Sequence, residues 1–177
     1  VVKCGNNIYI FELYNQRPSI LEIYFTGVYN CKADAKGRIM LPVSLRSQMT
    51  PMLNDGFFVK KSYYDECLEL YPAAVWHSEL KKLDERLGSS RKDREFKRKF
   101  NDGLRKVEID ATGRLLIPKD IIGLVNIKKD VKLSPMDGHI EIWDLATYNG
   151  DVDSTPEERE QLAYEVNYAE KPKKDVS

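Results

Sequence analysis

The chain has 177 residues, with 28 basic and 28 acidic side chains, two histidines and 42% apolar residues. Such a length holds one or two small domains with a real core. With 32% charged residues and no apolar run near the roughly 18 to 20 residues that a bilayer span needs, a membrane-spanning chain is excluded and a soluble one expected.

The net charge of zero would argue against a nucleic-acid partner if it were spread evenly. It is not. Lys81 to Lys106 carry eleven bases against five acids, a net of +6, and Asp151 to Glu170 carry seven acids against one Arg, a net of −6. Such blocks can be solvated helix faces, can pair between subunits, or can meet a charged partner. Cys4, Cys31 and Cys67 are far apart, form no C-x-x-C pair and have only His77 and His139 beside them. Neither a disulfide framework nor a metal site is expected, and free thiols suit a reducing cytoplasm.

In chain order, Val1 to Asn7 lack the basic start, apolar stretch and cleavage pattern of a signal peptide, so secretion is not expected. Without an initiating Met the natural start can lie elsewhere, and Ile8 to Phe11 could add a strand. Asp34-Ala-Lys-Gly-Arg-Ile-Met-Leu-Pro42 then introduces a pattern that returns as Asp110-Ala-Thr-Gly-Arg-Leu-Leu-Ile-Pro118. In each copy the Asp can bond backbone two residues on and the Gly supplies a positive φ, which together make a tight turn. The apolar run that follows, Ile39 to Leu41 or Leu115 to Ile117, is a short strand. Pro42 or Pro118 ends it and can occupy the first turn of a helix, Val43 to Met49 or Lys119 to Val125.

Further strands are predicted at Phe57 to Lys60, Cys67 to Tyr71, Val131 to Leu133 and His139 to Trp143, with turns at Ser62 to Glu66 and Pro135 to Gly138. Leu68-Glu-Leu-Tyr71 with Trp76 parallels Ile140-Glu-Ile-Trp143 with Tyr148. The recurring aromatics point to core or subunit packing rather than base stacking. Between the copies, Leu80, Leu83 and Leu87, then Phe96, Phe100 and Leu104, fall at helical spacing, the second helix starting on a Ser90–Asp93 cap. Thr155-Pro-Glu-Glu158 starts a last helix reaching about Val166, and the tail from Glu170 should fray. Each half has about 45 to 50 residues, a size that rarely completes a core alone, so the halves should complete each other's.

The doubled D-x-x-G-R-x-x-x-P pattern, with Phe25-Thr-Gly27, Leu70-Tyr-Pro72 and Trp76 around the first copy and Glu141-Ile-Trp143 closing the second, resembles the bacterial MraZ family. That family carries two AbrB-like (SpoVT-AbrB) swapped-hairpin modules. The resemblance runs from about Tyr24 to Tyr148. It implies a mixed α+β, mostly β fold: two tandem modules forming a pseudo-symmetric barrel, with helices between them and at the C-terminus. The divisions would be 1–23, an extension outside the family pattern; 24–76, the first module; 77–103, a basic helical connector; 104–148, the second module; and 149–177, an acidic helix and tail.

The resemblance further implies a cytoplasmic, nucleoid-associated transcriptional regulator that binds direct repeats of double-stranded DNA in the promoter of its own division and cell-wall gene cluster. Subunits would form a ring, with no membrane, cofactor, metal or small-molecule substrate involved. The motif arginines are Arg38 and Arg114, and the turn-forming residues are Asp34, Gly37, Asp110 and Gly113. An Arg on a rigid turn can offer its planar fork to guanine O6 and N7 or grip phosphates. Lys36, Arg38, Lys32 and Arg46 would make the first surface. The second copy has Thr112 for Lys36 and Ile122 for Arg46, so the first module is the expected reader and the second would mainly complete the fold. Either arginine could instead pair with its own Asp34 or Asp110. The basic helix Arg91 to Lys106 could grip phosphates or face an acidic block. A ring repeating one turn in one orientation suits direct repeats. Other readings are an AbrB-like antitoxin whose acidic tail binds a toxin, and a ring-forming scaffold that binds proteins. No nucleophile constellation, zinc-protease motif or phosphate-cradling loop is present, and an enzyme is not expected.

Overall fold

The structure, a computed structural model, describes residues 23–168. Cys4, the possible strand at Ile8 to Phe11 and the tail from Glu170 lie outside the described residues. The chain divides into two compact units, Val1–Leu145 and Ala146–Ser177.

In the first unit the elements run β1 (Tyr29–Lys32), β2 (Arg38–Met40), α1 (Val43–Met49), β3 (Phe57–Lys61), β4 (Leu68–Pro72), α2 (Ala73–Arg86) and α3 (Arg91–Phe100). There follow β5 (Arg105–Val107), β6 (Arg114–Leu116), α4 (Lys119–Gly123), β7 (Asp130–Met136) and β8 (His139–Asp144). Helix α5 (Leu145–Val152) starts on the last residue of that unit, and α6 (Pro156–Tyr168) follows within the second. Among the described residues no helix is long and apolar enough to cross a membrane.

Six strands form one antiparallel sheet in the order β1-β7-β8-β4-β3-β5, and β2 pairs separately with β6. Each half of the repeat keeps its own hairpin, β3-β4 or β7-β8, and sends its first strand to the edge of the other half's hairpin. Thus β1 lies against β7, with Tyr29 opposite Leu133, and β5 against β3, with Val107 opposite Phe57. The two hairpins meet at the centre, where Glu69 of β4 faces Glu141 of β8. This is the swap the family resemblance implies, carried out within one chain. The expected barrel is not closed. β1 and β5 end the sheet at opposite edges, and the β2-β6 ribbon covers one face instead of joining the ladder.

That covered face holds the main core. Ile39 and Leu115 of the ribbon, Leu45 and Met49 of α1 and Ile121 of α4 pack on Val59, Leu70, Leu133 and Ile142 of the sheet. All nine are essentially inaccessible to water, and each such apolar side chain contributes roughly 1.5 to 3 kcal/mol. The opposite face is polar where the hairpins meet. Lys60 is 1% exposed and its Nζ lies 2.7 Å from a Glu69 carboxylate oxygen that also accepts the Tyr71 hydroxyl at 3.0 Å. Burial alone would raise the Glu69 pKa, but the Lys60 ammonium outweighs it and holds the carboxyl below its ordinary value. Phe100 of α3 closes this site, its ring centroid 4.7 Å from Nζ and its plane stacked on Trp76 of α2.

Several elements differ from those predicted. β1 and β5 were not foreseen as strands, because four and three largely polar residues carry no usable alternation. They are extended because a foreign hairpin edge offers them hydrogen bonds. Helix α3 stops at Phe100, short of Leu104, since Asn101-Asp102-Gly103 turns the chain with Gly103 at φ +71°. Its start is as predicted, with Ser90 and Asp93 bonding each other's backbone N–H. Pro42 and Pro118 stand one position before their helices, with extended ψ of 144° and 139°. Pro135 and Met136 belong to β7, beyond the reach of β1, and only Asp137-Gly138 form the turn, both at positive φ.

Candidate nucleic-acid interface

The two motif copies fold into nearly identical turns. Asp34 Oδ1 accepts the backbone N–H groups of Lys36 at 2.8 Å and Arg38 at 3.0 Å, and its carbonyl accepts that of Gly37 at 2.9 Å. Asp110 Oδ1 accepts from Thr112 at 2.8 Å and Arg114 at 3.0 Å, and its carbonyl accepts from Gly113 at 2.8 Å. Gly37 and Gly113 sit at φ +82° and +83°, the conformation that calls for glycine here.

Each turn is then fastened by the other half. The Gly37 carbonyl accepts the Ile117 N–H and the Gly113 carbonyl accepts the Leu41 N–H, both at 3.0 Å, which prolongs the β2-β6 ladder. Over the first turn lies Ile122 of α4, and over the second lies Arg46 of α1, whose Nη1 donates to the Thr112 carbonyl at 3.1 Å. Arg46 and Ile122 do occupy equivalent places in the repeat, but the swap exchanges the turns they serve. Arg46 therefore belongs to the second turn, not the first surface where the sequence placed it.

The ribbon between the turns has two faces. Ile39 and Leu115 point into the core, so Arg38, Met40, Arg114 and Leu116 point outward. In register, Arg38 faces Leu116 and Met40 faces Arg114, which puts the two arginines at diagonal corners. Beside the ribbon runs an open cleft lined by Lys36, Arg38, Lys106, Arg114 and Lys119, with Glu108 and Asp110 the acids among its lining. Lys32 does not line it. That residue sits opposite Asp130 on β1, with its side chain on the sheet face away from the Cys31 contact to the core.

The two arginines differ in their ties. Arg38 Nε and Nη2 reach Asp34 Oδ2 at 2.7 and 2.6 Å, so the self-pairing considered for either arginine occurs at Arg38. At the second turn the Thr112 hydroxyl donates to Asp110 Oδ1 at 2.6 Å, and among the described residues the Arg114 guanidinium makes no hydrogen bond or ion pair. The Arg38 backbone N–H first, then its guanidinium, hold the Asp34 carboxyl down at about 2. Asp110 is also lowered, principally by the Thr112 hydroxyl. The Arg38–Asp34 pair is about two-fifths exposed on both sides, and pairs of that kind are weak and exchangeable. It orients the fork while leaving Nη1 available.

Sequence reasoning missed Lys119 and the outward position of Met40 and Leu116, and placed Lys106 on a helix rather than an edge strand. The signal for the apolar pair was present. Both occupy the second position after the motif Arg, which in a strand must share its face.

The fold and the cleft thus define a chain of two tandem hairpin modules, swapped into each other, with a basic turn from each flanking an exposed two-stranded ribbon. A family model described as "MraZ protein, putative antitoxin-like" matches residues 24–99 and 102–162. A protein from Christiangramia forsetii named "Transcriptional regulator MraZ" is 40% identical over 144 residues, covering 81% of this chain and 93% of its own length. Proteins of the same name from Flavobacterium psychrophilum and Bacteroides thetaiotaomicron are 42% and 36% identical over 140 and 122 residues. They cover 79% and 68% of this chain and 89% and 78% of their own. The chain belongs to the MraZ family.

Proposed function

We propose that this chain is a DNA-binding transcriptional regulator that reads direct repeats in the promoter of its own division and cell-wall gene cluster, acting in the cytoplasm on the nucleoid as a ring of identical subunits. The observation that carries the reading is the outward ribbon face, where Arg38 and Arg114 stand at diagonal corners beside a cleft with three lysines. Family membership and the regulator name borne by its relatives support it. A two-stranded ribbon fits a DNA major groove, where an arginine fork is matched to guanine O6 and N7. A bidentate guanine contact outweighs an exposed ion pair, so Arg38 can leave Asp34 for DNA. One ribbon spans only a few base pairs, and copies in a ring supply the rest of the site.

The test is fluorescence anisotropy with labelled duplex from upstream of the chain's own coding sequence, at several salt concentrations. Arg38→Ala should abolish specific binding and flatten the salt dependence while the oligomer, sized by mass photometry, is unchanged. Arg114→Ala should have the smaller effect. Unchanged affinity and salt slope in Arg38→Ala would overturn the assignment.

A further inference from the structure

Met40 and Leu116 are large apolar side chains with 47% and 51% of their surface in water, and they hold the other two corners of the face that carries Arg38 and Arg114. Neither is needed to build the core, which Ile39 and Leu115 serve from the other side of the same strands. Resting on the DNA-binding reading above, we infer that Met40 and Leu116 are specificity-determining residues that pack on thymine C5-methyl groups in the major groove, between the bases reached by the two arginines.

The geometry supports this placement. Residues directly opposite in an antiparallel pair have Cβ atoms about 4.5 to 5.5 Å apart, and same-face neighbours along a strand are separated by about 6.8 Å. Base pairs rise about 3.4 Å, so each apolar side chain falls one or two steps from an arginine. The major groove offers one apolar group, the thymine methyl, and an aliphatic side chain distinguishes it from cytosine without any hydrogen bond. A phosphate-gripping surface would instead place polar or basic residues at these corners. The flanking bases favour a polyanion as the occupant over an apolar protein surface.

The experiment compares the upstream duplex containing thymine with one synthesised with uracil throughout, which pairs identically but lacks the methyl. Wild-type full-length protein should bind the uracil duplex about fifteenfold more weakly, about fourfold for each of the two methyls that Met40 and Leu116 would cover. Met40→Ser with Leu116→Ser should bind both duplexes alike, with thermal unfolding and oligomer size as in wild type. Equal wild-type affinity for the two duplexes, or retained preference for thymine in the double variant, would overturn the inference while leaving DNA binding intact. Failure of the wild type to bind either duplex would overturn the DNA reading itself. A smaller oligomer in the double variant, without thymine preference in wild type, would assign the pair to a subunit contact and overturn the inference as well.

Discussion

The turns at Asp34–Arg38 and Asp110–Arg114 share one backbone and differ in what holds them. The first is roofed by an isoleucine and ties its arginine to its own aspartate; the second is roofed by an arginine and ties its aspartate to a threonine hydroxyl. A similar contrast runs across the sheet centre, where Lys60 stands opposite Glu69 but Ser134 stands opposite Glu141. The Trp143 indole N–H donates to Glu141 at 3.0 Å, at the repeat position from which the Tyr71 hydroxyl serves Glu69. Once duplicated, a motif keeps its backbone and lets its side chains diverge. In a swapped fold some of that divergence, as at Arg46 and Ile122, is met by the other half's turn, while pairs such as Arg38–Asp34 and Lys60–Glu69 stay within one half.

The largest effect that would sharpen this contrast lies in the buried pair. Lys60→Ala strands the Glu69 carboxylate and should destabilise by about 3 to 5 kcal/mol in urea unfolding, whereas Ser134→Ala should cost no more than about 1.5 kcal/mol. Replacing both partners, as Lys60→Met with Glu69→Leu, should recover most of the loss. Equal losses for Lys60→Ala and Ser134→Ala would show that the two halves are electrostatically alike after all.

Next come the turn glycines. A Cβ on Gly37 would stand 2.5 Å from the Ile117 carbonyl oxygen and 2.9 Å from Ile122 Cδ1, and the backbone oxygen cannot yield without breaking the ladder. A Cβ on Gly113 meets instead the far end of Arg46, which can swing away. Gly37→Ala should therefore cost about 2 to 4 kcal/mol and Gly113→Ala about 1 to 2 kcal/mol, the latter mostly the left-handed backbone penalty. Adding Arg46→Ala should ease the second substitution and not the first. The reverse order of losses would contradict the exchanged roofing.

The smallest effect is in titration. A depressed folded-state pKa means that the stabilisation by Asp34 is present above its unfolded value near 3.8 and is lost as pH falls toward about 2. Carboxyl carbon shifts followed by NMR should show Asp34 titrating near pH 2. Arg38→Ala should move that midpoint upward. Arg114→Ala should shift Asp110 less, because Thr112 is its main support. Comparable shifts in the two variants would remove the distinction between the arginines.

Much of the fold was legible because its cues are local. Asp34 and Gly37, with Asp110 and Gly113, specify their turns through bonds within five residues, and Ser90 with Asp93 specifies the start of α3 in the same way. The strands β3, β4, β7 and β8 announced themselves by apolar content. β1 and β5 did not, since Tyr29–Lys32 and Arg105–Val107 are strands only by virtue of their partners. The candidate site was legible to the same degree. Arg38, Arg114 and Lys36 follow from the motif, but Lys106 and Lys119 enter the cleft, and Lys32 leaves it, only after the halves interleave.

By itself the sequence determined that two copies of one turn-strand-helix unit exist and what backbone each turn adopts, because Asp and Gly act on their immediate neighbours. Only the tertiary structure decided which turn Arg46 covers, that the sheet stays open, and that Arg38 and Arg114 share one face with Met40 and Leu116. Those outcomes depend on hydrogen bonds and packing between residues some seventy positions apart, such as Gly37 with Ile117 and Arg46 with Thr112. No local pattern in the chain encodes which of its two equivalent partners a segment will choose.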